Sequence, residues 1–126
     1  MTNERLYRTD AIILRRSDFG EADRLLTVLT PERGKLRLLA KGVRKTTSRK
    51  AGHVELFMLT DMLVAHGRTW DIISQAEVVE AYRDLREDLD KTSHAYYLAE
   101  LVDRFSEEHD PNRPLFELLA LTLARL

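Results

Sequence analysis

Residues 22–41 read ADRLLTVLTPERGKLRLLAK and contain two apolar runs joined by a short turn. Pro31 sets the backbone angle that begins a turn, and Gly34 can adopt the positive φ that ends one. The flanking runs are short and rich in aliphatic residues, which is typical of strands. This stretch therefore predicts a β-hairpin with strands over residues 22–30 and 35–41.

Short apolar stretches separated by glycine-bearing turns continue on both sides of the hairpin. A first strand is predicted over residues 7–16, closed by a turn at residues 17–20. Two further strands are predicted over residues 54–65 and 70–79, joined through residues 66–69. Five strands within about 75 residues predict a small barrel or sandwich.

Beyond Val79 the apolar residues change to a helical period. Residues 81–88 predict a short helix or turn, and Ser93 is a candidate N-cap for a helix running to about residue 108. A proline-bearing break at residues 111–114 precedes a final helix. The predicted apolar stripes are Tyr97, Leu98, Leu101, Val102 and Phe105, then Leu115, Leu118, Leu119, Thr122, Leu123 and Leu126. Since an exposed leucine ridge is costly, we expect further chain or self-association to cover the last stripe.

Charge is distributed unevenly along the chain. Residues 1–68 contain 14 Lys/Arg and 8 Asp/Glu, whereas residues 69–126 contain 6 and 13. Such asymmetry indicates a nucleic-acid or membrane face on the first half. No apolar run approaches the roughly 20 residues of a spanning helix, and the N-terminus lacks the apolar segment of a secretory signal. We therefore expect no membrane partner and a cytoplasmic, nucleoid-associated location.

A run of cations without any acid lies between the hairpin turn and residue 50. Its members are Arg33, Lys35, Arg37, Lys41, Arg44, Lys45, Arg49 and Lys50. Eight positive charges repel one another, and a bound polyanion would remove that cost. Strand alternation places Lys35, Arg37 and Lys41 on one face, and the loop that follows adds Arg44, Lys45, Arg49 and Lys50. The pattern predicts a basic groove for a nucleic-acid backbone, with a merely solvated strand face as the alternative.

Aromatic residues for base stacking are scarce near this run. Trp70 begins a predicted strand and is interpreted as core filler or a barrel plug. Phe19, in a predicted turn, is the best exposed candidate. We therefore expect electrostatics to outweigh stacking, with duplex tolerated as well as single strands.

No arrangement typical of an enzyme is present in the sequence. The four histidines have no metal-ligand spacing, and the chain has no cysteine. The pair Gly34-Lys35 fails the phosphate-loop pattern, because Leu29 and Leu36 stand where glycine and a hydroxyl residue are needed. We predict a non-enzyme with no cofactor, no metal site and no catalytic residue.

Several segments together resemble the bacterial RecO family of DNA repair proteins. They are YRTDAIIL (7–14), GEADRLLT (20–27), PERGK (31–35), AKGVRK (40–45), AGH (51–53), DIISQAE (71–77) and YYLAEL (96–101). The resemblance implies an N-terminal OB-fold followed by a helical domain. It also implies a recombination mediator that binds DNA, anneals complementary strands and helps load RecA onto strands coated by single-strand-binding protein. RecR and single-strand-binding protein are the partners that the family implies.

We therefore predict an α+β chain, with a five-stranded OB-like barrel over residues 1–80 and a truncated helical domain over residues 81–126. Its partners would be single- and double-stranded DNA. The predicted DNA contacts are Lys35, Arg37, Lys41, Arg44, Lys45, Arg49 and Lys50, with Arg15 and Arg16 as weaker additions and Phe19 for stacking. The alternative is a protein-interaction module whose basic loop docks an acidic peptide or partner.

Overall fold

The computed structural model describes residues 5–126, in which the predicted hairpin is present as the second and third strands of a barrel. The strands are β1 (Leu6–Phe19), β2 (Asp23–Thr30), β3 (Gly34–Ala40), β4 (Leu59–Ala65) and β5 (Asp71–Glu80). The helices are α1 (Arg83–Glu87), α2 (Leu89–Phe105) and α3 (Arg113–Arg125). None of these helices is both long and apolar enough to cross a bilayer.

The five strands close into a barrel in the order β1-β2-β3-β5-β4, with β4 paired back onto β1. All neighbours are antiparallel except β3 and β5, which pair in parallel only where Leu38 and Leu39 meet Asp71 and Ile72. The predicted α+β class, an OB-like barrel followed by a helical part, is confirmed. The rest of the β3 edge, residues 34–37, lies outside this short pairing with β5.

The hairpin turn is held by the side chain of Thr30, which is fully buried. Its hydroxyl donates to the Gly34 carbonyl at 2.8 Å and accepts from the Arg33 amide at 3.0 Å. Gly34 has φ +74°, which favours glycine. The turn therefore has the chemistry that the sequence predicts.

Apolar residues form two separate cores. The barrel interior contains Ala11, Ile13, Leu26, Val28, Leu36, Leu38, Ala40, Val43, Val54, Met58, Met62, Val64 and Ile73. The second core, between the barrel and the helices, contains Ile12, Leu14, Leu29, Phe57, Tyr82, Leu85, Ala95, Ala99, Val102, Phe116, Leu119 and Leu123. Because Leu119 and Leu123 pack in this second core, the barrel itself covers part of the last leucine stripe, whereas Leu118 remains 59% exposed.

Two strand boundaries differ from the prediction. β4 begins at Leu59 and not at residue 54, because residues 51–53 form a short 3-10 helix and Phe57 has φ +67°. β1 continues to Phe19, so residues 17–19 belong to a strand and not to a turn. Pairing with β2 over this extra length explains the difference, since Phe19 lies opposite Asp23.

Helix α2 differs from the prediction in its start, in its end, which is Phe105 and not residue 108, and in part of its buried face. Asp88 caps it, accepting from the amides of Asp90 and Lys91 at 2.9 and 3.3 Å, so Ser93 lies inside the helix. Of the predicted stripe, Val102 is buried and Leu98 packs against the second core, beside Ala95 and Ala99, whereas Tyr97 and Phe105 are 62% and 82% exposed. The small side chains of Ala95 and Ala99 let α2 lie close to the barrel, and both are buried in the second core.

One ammonium group joins the barrel to the helices. Lys35 Nζ donates to Asp103 Oδ1 at 3.0 Å, to the Asp103 carbonyl at 2.7 Å and to the Ser106 carbonyl at 2.9 Å. Asp103 Oδ2 accepts in turn from Arg15 at 3.0 Å. Only 14% of each side chain of the Lys35–Asp103 pair is exposed. Burial by itself raises the pKa of Asp103, but the hydrogen bonds and charges of Arg15 and Lys35 lower it below its ordinary value.

Replacing Gly34 with alanine tests the turn and its contact with the segment before α3. An added Cβ would overlap the backbone of Asp110, and the positive φ is unfavourable for alanine. Together these effects should destabilise the fold by about 2–4 kcal/mol, combining a left-handed residue with overpacking. Urea unfolding measures the loss. The control is Gly20→Ala, since Gly20 has φ +63° but no atom within 4 Å of an added Cβ; an equal loss at both positions would contradict the packing argument.

The Asp103 carboxylate should contribute pH-dependent stability. Because its pKa is lowered on folding, the contribution is complete above the unfolded value of about 3.9 and is lost as the pH falls through the folded value. At pH 7, Asp103→Asn should reduce the free energy of unfolding by about 2 kcal/mol, the value of charged hydrogen bonds. Urea unfolding from pH 7 to pH 3 should show the difference from wild type shrinking below about pH 4.

The matched control for this experiment is Glu100→Gln on the same helix. Within residues 5–126, Glu100 pairs only with Arg104, at 3.4 Å, and 64% of its side chain is exposed. Loss of the Glu100–Arg104 ion pair should lower the free energy of unfolding by about 0.5 kcal/mol or less. A difference for Asp103→Asn that stays constant across this pH range would contradict the role assigned to its charge.

Candidate nucleic-acid interface

The outer face of β1, β2 and β3 brings two of the predicted arginines together. Arg15 lies opposite Thr27, and Thr27 lies opposite Arg37 on the next strand. Side chains at paired positions project from the same face of a sheet. Arg15, Thr27 and Arg37 therefore form one row across the three strands, with both arginines exposed at its ends.

A groove of about 270 Å³ follows this face. It is lined by Arg15, Arg16, Ser17, Leu25, Thr27, Lys35, Arg37, Asp103 and Glu108. The hydroxyls of Ser17 and Thr27 stand among the arginines, and hydroxyl groups commonly donate to phosphate oxygens. Carboxylates enter the groove only from the helical part, through Asp103 and Glu108.

An aromatic pair continues the face beside Arg37. The Arg37 guanidinium lies over the Trp70 ring, 5.2 Å from its centroid. The Phe19 ring meets Trp70 edge-on, with centroids 6.5 Å apart and 83° between the planes. Phe19 is 41% exposed. Trp70 is half-buried and belongs to neither apolar core, so its interpretation as core filler is wrong.

The connection that carries Trp70 is anchored by the Asp71 carboxylate. Asp71 accepts from the Gly67 amide at 3.2 Å and from the Tyr7 hydroxyl at 3.1 Å. His66 Nδ1 lies 3.3 Å from the same carboxylate. Burial, followed by the charge of Asp71, raises the pKa of Tyr7 to about 12, so Tyr7 keeps its proton and remains a donor. Trp70 is thereby fixed next to Arg37 by backbone and side-chain contacts.

The predicted groove requires an exposed Lys35, but only 14% of this side chain is exposed. Its ammonium points toward α2 and is enclosed by the Asp103 and Ser106 oxygens. The alternation that places it on the same face as Arg37 is correct, but α2 covers that end of β3. The charge of Lys35 is therefore balanced within the molecule.

The loop after β3 carries most of the remaining predicted cations. It lies against the β1–β2 turn, because the Arg44 amide donates to the Ala22 carbonyl at 2.9 Å and the Gly42 amide to Asp23 at 2.6 Å. The Arg44 guanidinium also donates to the Gly20 carbonyl at 3.1 Å and lies 3.6 Å from Asp18. The loop is thus held at the end of the outer face where Phe19 lies.

Two predicted residues have partners that draw them away from this face. Lys50 Nζ donates to the Ile73 carbonyl of β5 at 3.1 Å. Arg16 borders the groove, but its guanidinium pairs with Glu55 at 2.9 Å. The side chains of Lys35, Lys50 and Arg16 are therefore engaged by partners within the molecule, although Lys35 and Arg16 both line the groove.

Four predicted cations remain exposed and outside any ion pair among residues 5–126. They are Arg37, Lys41, Lys45 and Arg49. Lys41 directly follows Ala40, the last residue of β3, and begins the loop that carries Lys45 and Arg49. Arg15, which has one partner in Asp103 and a side chain that is 68% exposed, keeps free donors. The site is thus a smaller basic surface than the sequence predicts, with an aromatic pair added.

Sequence reasoning missed Trp70, Ser17 and Thr27 as members of this face. Only the cross-strand register shows that Thr27 stands between two arginines. Alternation along β1 could have placed Ser17 with Arg15, had the strand been extended beyond residue 16. Across the described residues 5–126, no three His, Asp or Glu side chains stand close enough to hold a metal ion.

Comparison with known proteins identifies relatives over nearly the whole chain. Residues 1–82 match the family model described as "Recombination protein O N terminal", and residues 86–126 match "Recombination protein O C terminal". A DNA repair protein RecO from Roseiflexus sp. (strain RS-1) is 50% identical over 98% of this chain and 43% of its own length.

Other relatives give the same pattern. The DNA repair protein RecO of Desulforamulus reducens is 44% identical over 91% of this chain and 45% of its own length. That of Dehalococcoides mccartyi strain BAV1 is 40% identical over 100% of this chain and 50% of its own. The chain thus spans half or less of the length of these relatives. Since both parts of the chain match in order, it belongs to the RecO family.

Proposed function

We propose that this chain binds DNA through the outer face of β1–β3 and the loop after β3, as part of a recombination mediator in DNA repair. The observation that carries this proposal is the cluster of Arg37, Trp70 and Phe19, together with the exposed, unpaired cations Lys41, Lys45 and Arg49 of the adjoining loop. Cations neutralise phosphates, and aromatic rings stack on bases. A surface that binds an acidic peptide would need the cations but not the aromatic rings.

The unpaired cations determine how strongly electrostatic attraction should contribute to the affinity for DNA. Arg37, Lys41, Lys45 and Arg49 have free charges, and Arg15 and Arg44 can add donors from their present positions. Between four and six phosphate contacts correspond to a slope of log K against log salt of about −3 to −4 on single strands. Phosphate contacts position a strand without specifying its bases, so sequence preference should be weak. Duplex DNA offers the same phosphates, and we include it as a ligand.

Membership of the RecO family supports the wider role within this proposal. The chain would anneal complementary strands, help load RecA and act with RecR and single-strand-binding protein, without catalysing a reaction. Residues 1–80 would act as the DNA-binding domain and residues 81–126 as the helical domain, in a protein located in the cytoplasm at the nucleoid. None of these activities is needed for the binding experiments below.

Charge reversal of the loop tests the phosphate contacts. In the triple variant Lys41→Glu/Lys45→Glu/Arg49→Glu, affinity for a labelled single strand should fall at least about tenfold, and the salt slope should flatten by about 2. Fluorescence anisotropy at several salt concentrations measures both quantities. The reason is the loss of three phosphate partners from one surface.

The matched control places the same charge change on the helices, as Arg83→Glu/Arg104→Glu/Arg125→Glu. These exposed arginines lie on α1, α2 and α3, and none of them lines the groove. The control should leave the salt slope within error of wild type. Equal effects of the two triple variants would mean that net charge alone, and not this loop, governs binding.

Trp70 supplies both a test of stacking and a built-in probe, because it is the only tryptophan of the chain. Its fluorescence should be quenched when a single-stranded oligonucleotide binds. Trp70→Ala should weaken binding about tenfold, within the roughly 1–3 kcal/mol of one stacked base, whereas Trp70→Phe should keep most of the affinity. The control is Tyr97→Ala, which removes an aromatic residue that is 62% exposed on α2. Unquenched fluorescence at saturation would argue against a base on Trp70.

A further inference from the structure

The segment between α2 and α3 lies along the part of the β3 edge that β5 leaves free. Lys35 and Glu108 form a parallel bridge, and the His109 amide donates to the Lys35 carbonyl at 3.0 Å. The Ser106 carbonyl accepts from Lys35 Nζ at 2.9 Å. Residues 106–110 therefore occupy the position of an additional edge strand next to the proposed DNA face.

Contacts at its two ends hold this segment. At one end, Asp103 and Ser106 enclose the Lys35 ammonium. At the other, the Asp110 backbone packs so tightly on Gly34 that a Cβ there would overlap it. His109, between them, has φ +62°, an unfavourable conformation for a residue other than glycine. The segment keeps its place through a few specific contacts with β3.

The charge of the segment is opposite to that of the face it borders. Glu107, Glu108 and Asp110 are three acids within four residues, and all are exposed. Glu108 lines the groove of Arg15, Thr27 and Arg37. It also lines a second cavity of about 210 Å³, which Arg37 and Trp70 line as well.

Glu108 thus lines both of the cavities that Arg37 lines. Lys35 and Arg37 project from the same side of β3, and Glu108 lies beside Lys35. The Glu108 side chain is 46% exposed, and the His109 Nε2 atom lies 3.9 Å from its carboxylate. Its charge is therefore available to act on an anion that approaches Arg37.

We propose that residues 106–110 are a built-in competitor for nucleic acid, with the Glu108 carboxylate weakening the binding of phosphate at Arg37. This inference rests on the proposed function, because it concerns the same face. It adds an autoinhibitory contact: the helical part lowers the affinity of the barrel for DNA through a segment docked on β3. Movement of this segment would release the Arg37 end of the groove.

Neutralising Glu108 tests this contact on the complete chain. Glu108→Gln should tighten binding of a labelled single-stranded oligonucleotide about threefold at low salt, the effect of one unit charge several ångströms from a phosphate. The gain should shrink as salt is raised, because exposed charges are screened. The matched control is Glu107→Gln, which removes the same charge from the neighbouring residue that lines neither cavity. It should leave the affinity close to that of wild type.

A double-mutant cycle with Arg37→Ala shows whether Glu108 acts through Arg37. If it does, Glu108→Gln should give much less gain in the Arg37→Ala background. An equal gain for Glu107→Gln and Glu108→Gln, or an undiminished gain without Arg37, would overturn the inference. Failure of the wild-type chain to bind any oligonucleotide would instead overturn the proposed function, so the two failures are distinguishable.

Discussion

The enclosure of the Lys35 ammonium is the constraint on which the arrangement of the molecule depends. An ammonium group that is mostly removed from water needs hydrogen-bond acceptors, and here all three come from the end of α2 and the residue that follows it. Meeting this need fixes the end of α2 against β3. It also directs the next residues along the free β3 edge, toward Gly34. The same contact that joins the barrel to the helices therefore decides what borders the outer face.

A second consequence concerns the distribution of charge. At the end of the face near α2, Asp103 pairs with both Lys35 and Arg15, and Glu108 lines the same groove as Arg37. At the opposite end, the loop after β3 keeps Lys41, Lys45 and Arg49 outside any ion pair of the described chain. The unpaired cations of the loop thus lie beyond the end of β3, and none of them pairs with Asp103 or Glu108. A polyanion would meet its strongest attraction there and increasing competition toward α2.

Closure of the barrel determines where the aromatic pair of Phe19 and Trp70 lies. Parallel pairing of β3 with β5 is limited to two residue positions, and it brings the start of β5 beside the middle of β3. Trp70, one residue before β5, is consequently close enough to Arg37 for a cation–π contact. The extension of β1 to Phe19 supplies the second ring. Neither ring is near the basic run in the sequence, and the barrel topology alone makes them neighbours.

Local sequence patterns were sufficient to predict the order of strands and helices in this fold. The turn chemistry of Pro31 and Gly34 and the aliphatic alternation around it determined the hairpin, the strand count and the change to helices after Val79, because these features depend on near neighbours in the chain. The family resemblance added the OB-like topology, which the apolar pattern alone left open between a barrel and a sandwich. The acid-free run also indicated a basic surface correctly in kind, since Arg37, Lys41, Lys45 and Arg49 are exposed. What only the tertiary structure decided is the partner of each charge and the face of each helix: Lys35 is enclosed by Asp103, Lys50 turns to β5, and α2 packs through its alanines. These outcomes depend on contacts between residues distant in sequence, where burial and ion pairing outweigh local pattern.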